Sequence, residues 1–206
     1  MINELTGNAK AKILPLIQNT NHELSIFSVV FESSPGTVFV DNADSPESGM
    51  IKTPECNVMF GDSENELLNE ELFEKLDYFD PVTPDSPSWN SVIEKHHKNT
   101  AIRKYKRFSF ILKKEHLVIK KIADPSDFIK TLYFDSYKNI KYENREIVLE
   151  GINIIRKSED KNIVVAAIAE KENKIVSCSA VDCIYDNKAE IGIKTIDGYK
   201  RKGFGR

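Results

Sequence analysis

Lys200-Arg201-Lys202-Gly203-Phe204-Gly205-Arg206 sets four cations and two glycines within seven residues. Backbone N–H groups at such a turn can point several unpaired donors the same way and attract negative charge. Gly203 and Gly205 keep side chains out of that approach, and Lys200, Arg201, Lys202 and Arg206 add positive charge, so the spacing fits a pyrophosphate. The plain alternative is a solvated basic tail. A nucleotide-binding loop of the P-loop type fits poorly, because no Gly-Lys-Ser/Thr follows.

The elements that must position this turn lie directly before it. Ala189 to Ile196 is rich in β-branched residues and reads as a strand. Ile163 to Ala169 and Ile175 to Tyr185 read as two more strands, with turns at Lys171–Lys174 and Asp186–Lys188. The expectation is an antiparallel meander that runs into an anion-binding turn.

That order resembles the central part of the GCN5-related N-acetyltransferases, whose acetyl-coenzyme A loop follows the fourth strand and reads Arg/Gln-x-x-Gly-x-Gly/Ala. Lys200-Arg201-Lys202-Gly203-Phe204-Gly205 matches it, with Lys200 where the family usually has Arg or Gln. Further stretches resemble a bacterial subgroup that includes zwittermicin A resistance proteins: Pro35 to Asn42, Phe79 to Ser86, Ile102 to Arg107, and Glu190 to Ile193. The resemblance implies acetyl-CoA as cosubstrate, an amine-bearing small molecule as acceptor and no metal. It implies cofactor contacts from Ile193, Thr195, Lys200, Arg201, Lys202, Gly203, Phe204, Gly205 and Arg206, with the backbone at Ile193 and Thr195 pairing with the pantetheine arm. Glu190 is the candidate general base, against the reading of a surface carboxylate paired with a lysine; Asp182 has a weaker claim. Relatives continue past the loop with a helix, a splayed fifth strand and more, so the resemblance also predicts a chain truncated at its cofactor loop. Two functions stay open: an N-acetyltransferase, or an inactive fragment or non-catalytic binding module.

Composition sets outer bounds. The chain has 206 residues, 40% hydrophobic and 30% charged, enough for a substantial core in one or two domains. A net charge of −3 argues against bulk nucleic-acid binding. The start Met1-Ile2-Asn3-Glu4-Leu5 is not a leader, and no apolar run is long enough to cross a bilayer, which predicts a cytoplasmic protein without a membrane partner. A homodimer stays open.

The three cysteines, Cys56, Cys178 and Cys183, show no metal-ligand spacing and read as buried thiols; five residues apart on one strand, Cys178 and Cys183 should point to opposite faces. His96 and His97, among Glu94, Lys95 and Lys98, read as a solvated helix face. Arg103-Lys104-Tyr105-Lys106-Arg107-Phe108 could bind nucleic acid, but alternation favours a charged edge strand.

The fold class expected is α/β (mixed α+β): an N-terminal α/β accessory domain over 1–115 and, over 116–206, an incomplete GNAT-like antiparallel sheet flanked by helices. In the first part, Asn8–Gln18 reads as a helix disturbed by Pro15, and Leu24–Glu32 and Thr37–Asp41 as a hairpin around Ser33-Ser34-Pro35-Gly36. Met50–Lys52 and Asn57–Phe60 read as strands, and Ser63 as the cap of a helix to about Asp77, with Glu66 completing a capping box. Asp80–Ser88, with Pro81, Pro84 and Pro87, reads as a linker, and Trp89 as the anchor of a short helix. Ile102–Lys113 and Leu117–Ile122 read as strands and Pro125–Arg156 as mostly helical. The order of elements in the first part leaves open a degenerate copy of the same fold.

Overall fold

Val38 and Val40 are buried while Thr37 and Phe39 between them are half-buried, and this period of two makes Thr37–Val40 a strand, β2. In the computed structural model, which describes residues 2–18, 21–99, 101–106, 129–155 and 163–204, β2 pairs antiparallel with β1 (Asn3–Leu5) and β3 (Ser48–Lys52). Antiparallel β4 (Asn57–Gly61) follows, and β5 (Val82–Pro84) closes the five-stranded sheet parallel to β4. The register aligns Val38, Ile51 and Val58 on one face and Phe39, Met50 and Met59 on the other.

Each face is buried under its own pair of helices. A 3-10 helix (Gly7–Leu16) and α1 (Glu23–Val30) connect β1 to β2, and their Ile13, Ile26 and Val29 pack with Val38, Ile51 and Val58. Helix α2 (Glu66–Phe73) connects β4 to β5 and α3 (Pro87–His96) follows; their Leu72, Phe73 and Trp89 pack with Met50 and Met59. His22 caps α1 and its Nδ1 meets Glu55 Oε2 at 2.9 Å and Cys56 Sγ at 3.6 Å. Those two neighbours push the imidazole up to about 9, against the opposing pull of burial.

The second sheet has the order β6 (Ile129–Tyr133), β7 (Val164–Lys171), β8 (Lys174–Tyr185), β9 (Lys188–Thr195), all antiparallel. A 3-10 turn at Tyr137–Asn139 and α4 (Glu146–Leu149) stand between β6 and β7, and Ile147 and Val148 pack with Val165, Ile168, Cys178 and Ala180. Tight turns fold the meander, with Glu172, Asn173, Asp186 and Asn187 all at positive φ. The two sheets belong to separate units, Met1–Phe108 and Ser109–Arg206. Within each unit the order is the same: a strand, helical turns, then three antiparallel strands, with matching strand order in the sheet. The expected domain boundary at 115/116 lies outside the described residues.

Several expectations are corrected. Leu24–Glu32 is not a strand but α1: Ser25 and Ser28 donate their hydroxyls to carbonyls three residues back, so a run without a polar face is buried as helix. Helix α2 is capped by Asn65, whose side chain accepts from Leu68 N–H, and ends at Phe73; Ser63 is not its cap, and Leu67 is 77% exposed. The Asp80–Ser88 stretch is no linker, because Val82–Pro84 pairs with β4. The 3-10 form of Gly7–Leu16 accommodates Pro15 inside it. Of the stretch expected to be helical from Pro125 to Arg156, the described residues 129–155 instead hold β6, a 3-10 turn and only the short helix α4. Residues 101–106 form no strand, and the other expected strands, 107–113 and Leu117–Ile122, lie outside the described residues.

Candidate functional site at the edge of the second sheet

β9 is the last strand of its sheet. Ile196 N–H donates to Val176 O at 3.1 Å, and Ser177 Oγ donates to Lys194 O at 3.2 Å, so residues 194 and 196 turn their backbone groups toward β8. Strand alternation turns the N–H and C=O of Ile193 and Thr195 the opposite way, onto an edge that pairs with no strand among the described residues. The side chains of Ile191 and Ile193 are 57% and 60% exposed on this strand. Thr195 Oγ1 and Ser177 Oγ share a hydrogen bond of 2.8 Å that ties the strand's end to β8.

The turn begins one residue later. Tyr199 N–H donates to Ile196 O at 3.2 Å, and Gly198 has φ +82°. Arg201 and Gly203 lie at φ +64° and +89°, flanking Lys202. Left-handed residues interspersed in a turn are what bring successive N–H groups into an anion-binding concavity. Tyr199 is the hub of the side chains: Lys202 Nζ lies 5.1 Å and Lys171 Nζ 6.0 Å from its ring centroid, and Phe204 meets it edge-on at 5.8 Å. Lys200 pairs with Asp197 at 2.7 Å, which holds the Asp197 carboxyl below its usual range. Arg201 and Lys202 are exposed. Gly205 and Arg206 lie outside the described residues.

Glu190 stands at the other end of β9. It is half-buried, opposite Cys183, whose thiol donates to Glu190 Oε2 at 3.6 Å. A register shift between Val181 and Cys183 introduces an extra residue into β8, and the Asp182 carboxylate lies about 3.0 Å from where a side chain on Gly192 would begin. A side chain at 192 would make that carboxylate give way by a few tenths of an ångström. The shift also corrects the cysteine reading: Cys178 and Cys183 sit opposite Lys194 and Glu190, four apart on β9 and hence on one face. Burial pushes the Cys178 thiol up.

The corresponding place in the first unit is built differently. Asn57 N–H donates to Pro81 O at 2.8 Å and Asp85 N–H to Met59 O at 2.9 Å, so β5 occupies the edge of β4. The carbonyl of Gly61, the last residue of β4, accepts the Trp89 indole N–H at 3.1 Å, and Trp89 is wholly buried. The residues that follow are Asp62-Ser63-Glu64-Asn65-Glu66.

Sequence reasoning brought Glu190 and the turn onto one strand and its extension, but missed Tyr199 and Lys171. Tyr199 sits inside the stretch already singled out and Lys171 in the β7–β8 turn, so only the fold joins them. It also missed a cavity of about 350 Å³ lined by Lys130, Leu132, Ile140, Tyr142, Ile168 and Glu170. There Lys130 Nζ is 2.8 Å from Glu170 Oε2 and 3.0 Å from the Tyr142 hydroxyl, which itself donates to Glu170. Among the described residues no helix is long and apolar enough to cross a membrane.

Residues 15–206 match the family model for GNAT acetyltransferase. The fold is similar to that of a GCN5-related N-acetyltransferase-like protein from Streptococcus suis 89/1591, with a TM-score of 0.66 and 14% identity over 96% of this chain and 79% of that one. No curated protein sequence matches the chain. With all but its first fourteen residues inside the family model, the chain belongs to the GNAT acetyltransferase family.

Proposed function

We propose that this chain is an N-acetyltransferase that moves an acetyl group from acetyl-coenzyme A to a primary amine of a small molecule. The observation that carries the reading is the continuity of β9's outward-facing amides with a basic turn holding Arg201 and Gly203 at positive φ. Acetyl-coenzyme A has an amide-bearing arm joined to a pyrophosphate, and it needs an open strand edge that leads into an anion site. The residues present fit both parts: Ile193 and Thr195 for the arm, and the backbone from Lys200 to Gly205 with Lys200, Arg201, Lys202 and Arg206 for the phosphates.

The cosubstrate supplies a thioester carbonyl open to attack by an amine. Glu190 takes the amine's proton, directly or through water, so that nitrogen enters as a free base. An outward strand N–H, that of Ile193, donates a hydrogen bond where negative charge grows on the acyl oxygen. The C–N bond forms, the second nitrogen proton passes through water to the departing thiolate, and the C–S bond breaks. In this reading residues 116–206 form the acetyltransferase core and residues 1–115 the accessory domain. The resemblance to zwittermicin A resistance proteins favours an amine-bearing antibiotic as acceptor.

Calorimetric titration of the full chain with acetyl-coenzyme A tests this, with Gly203→Asp as control and a thiol-release assay over a panel of small amines. The expected result is an affinity on the order of micromolar that falls about ten- to thirtyfold in the variant, and turnover with at least one amine. A folded chain that gives no heat would overturn the reading and leave a non-catalytic binding module.

A further inference from the structure

Three side chains with three different metal-binding atoms converge within the first unit, whereas the proposed acetyltransferase site belongs to the second. The His22 Nδ1, a Glu55 carboxylate oxygen and the Cys56 Sγ all lie within 4.8 Å of one another. His22 is 5% and Cys56 3% exposed, and the Glu55 side chain 11%. Cysteine and histidine lie 34 residues apart, so no sequence spacing announces the group.

We propose that His22, Glu55 and Cys56 form a binding site for a divalent ion of the zinc class. Each ligand is held before any metal arrives. His22 is the cap of α1, where its carbonyl accepts Ile26 N–H at 3.0 Å. Thr53 closes the β3–β4 turn: its Oγ1 accepts Glu55 N–H at 3.2 Å and Cys56 N–H at 3.1 Å and donates to Cys56 O at 2.9 Å, fixing both ligands. The other ring nitrogen, His22 Nε2, lies 3.4 Å from Thr83 Oγ1 on β5. With Nδ1 on the metal, Nε2 would carry the ring N–H and this hydroxyl is within reach to accept it, which is how ligating histidines are commonly oriented.

Two of the three ligand-to-ligand distances are close to those the ion requires. Zn–S of about 2.3 Å and Zn–N of about 2.05 Å at a tetrahedral angle place sulfur and nitrogen about 3.6 Å apart. The Cys56 Sγ to His22 Nδ1 separation is 3.6 Å. The Glu55 oxygen, at 2.9 Å from Nδ1, need retreat only about half an ångström to reach a tetrahedral edge. Binding deprotonates the Cys56 thiol and frees Nδ1 of any proton; thiolate and carboxylate then balance the dication, and the buried site is neutral. A cavity of about 180 Å³ borders Glu55 and Cys56, though not His22, and a water from it would complete the ligand set.

Titration of the metal-stripped full chain with cobalt(II), followed by zinc, tests the site. One equivalent of cobalt should produce a sulfur-to-cobalt charge-transfer band with tetrahedral d–d absorption; zinc should abolish both and raise the melting temperature by several degrees. Cys56→Ser and His22→Gln should lose the band, and Cys178→Ser, in the other unit, should keep it. Absence of the band in the folded wild-type chain would overturn the proposal, leaving His22 and Glu55 as an ion pair, and so would a band that survives in folded Cys56→Ser. The wild-type titration decides even if a variant does not fold.

Discussion

β4 and β9 occupy the same place in two sheets of matching order, and they treat their outer edges in opposite ways. β4 is sealed: β5 takes the backbone groups of Asn57 and Met59, and Trp89 takes the last carbonyl, at Gly61. β9 presents the N–H and C=O of Ile193 and Thr195 to an edge without a partner strand among the described residues. After β4 come Asp62, Glu64 and Glu66; after β9 come Lys200, Arg201 and Lys202. One topology thus carries a covered edge in the first unit and, among the described residues, an uncovered edge followed by a basic turn in the second. What differs is the added strand β5, the Trp89 indole and the sign of the charges that follow.

The strongest attack on this comparison is at the seal. Trp89→Ala removes a fully buried side chain and its hydrogen bond, and should destabilise the first unit by about 3–5 kcal/mol in urea unfolding. The milder Trp89→Phe should leave a folded chain that binds one equivalent of acetyl-coenzyme A; two equivalents would break the comparison. Next comes chemistry: Glu190→Gln should lower kcat about a hundredfold with acetyl-coenzyme A affinity kept, measured by thiol release. An unchanged kcat would return Glu190 to the role of a surface carboxylate.

Gly203→Asp sets a negative charge and a side chain at a position with φ +89°. At a partly screened surface this costs roughly 1.4–2 kcal/mol of phosphate binding, about a ten- to thirtyfold loss of acetyl-coenzyme A affinity by calorimetry. Glu64→Asp, on the loop after β4, should change nothing measurable. The smallest effect is the sharpest test of direction along β9. Ile193→Pro removes an outward N–H that no ladder bond uses, so acetyl-coenzyme A affinity should fall about three- to tenfold while the melting temperature barely moves. Lys194→Pro, which loses an inward N–H, should instead lower the melting temperature first.

How far the sequence is legible depends on whether a signal is local. The meander from β7 to β9 is legible because alternation and turn residues lie next to one another, and Asn173, Asp186 and Asn187 take the positive φ that such residues tolerate. The basic turn is legible for the same reason: its cations and Gly203 are contiguous. α1 is not, since a run buried on nearly every side carries no polar face to show its period. β5 is hidden because Pro84 argues against a strand, yet it pairs at the sheet's edge, where proline is tolerated.

The sequence by itself determined the class of the fold, the meander and the chemical character of its final turn, because each rests on residues within a few positions of one another. Tertiary structure alone decided which edge has no partner strand among the described residues, that Tyr199 gathers Lys171 and Lys202, that Trp89 closes β4, and that His22 meets Glu55 and Cys56. Those are encounters between distant residues, and the packing of whole faces chooses among them where no local preference can.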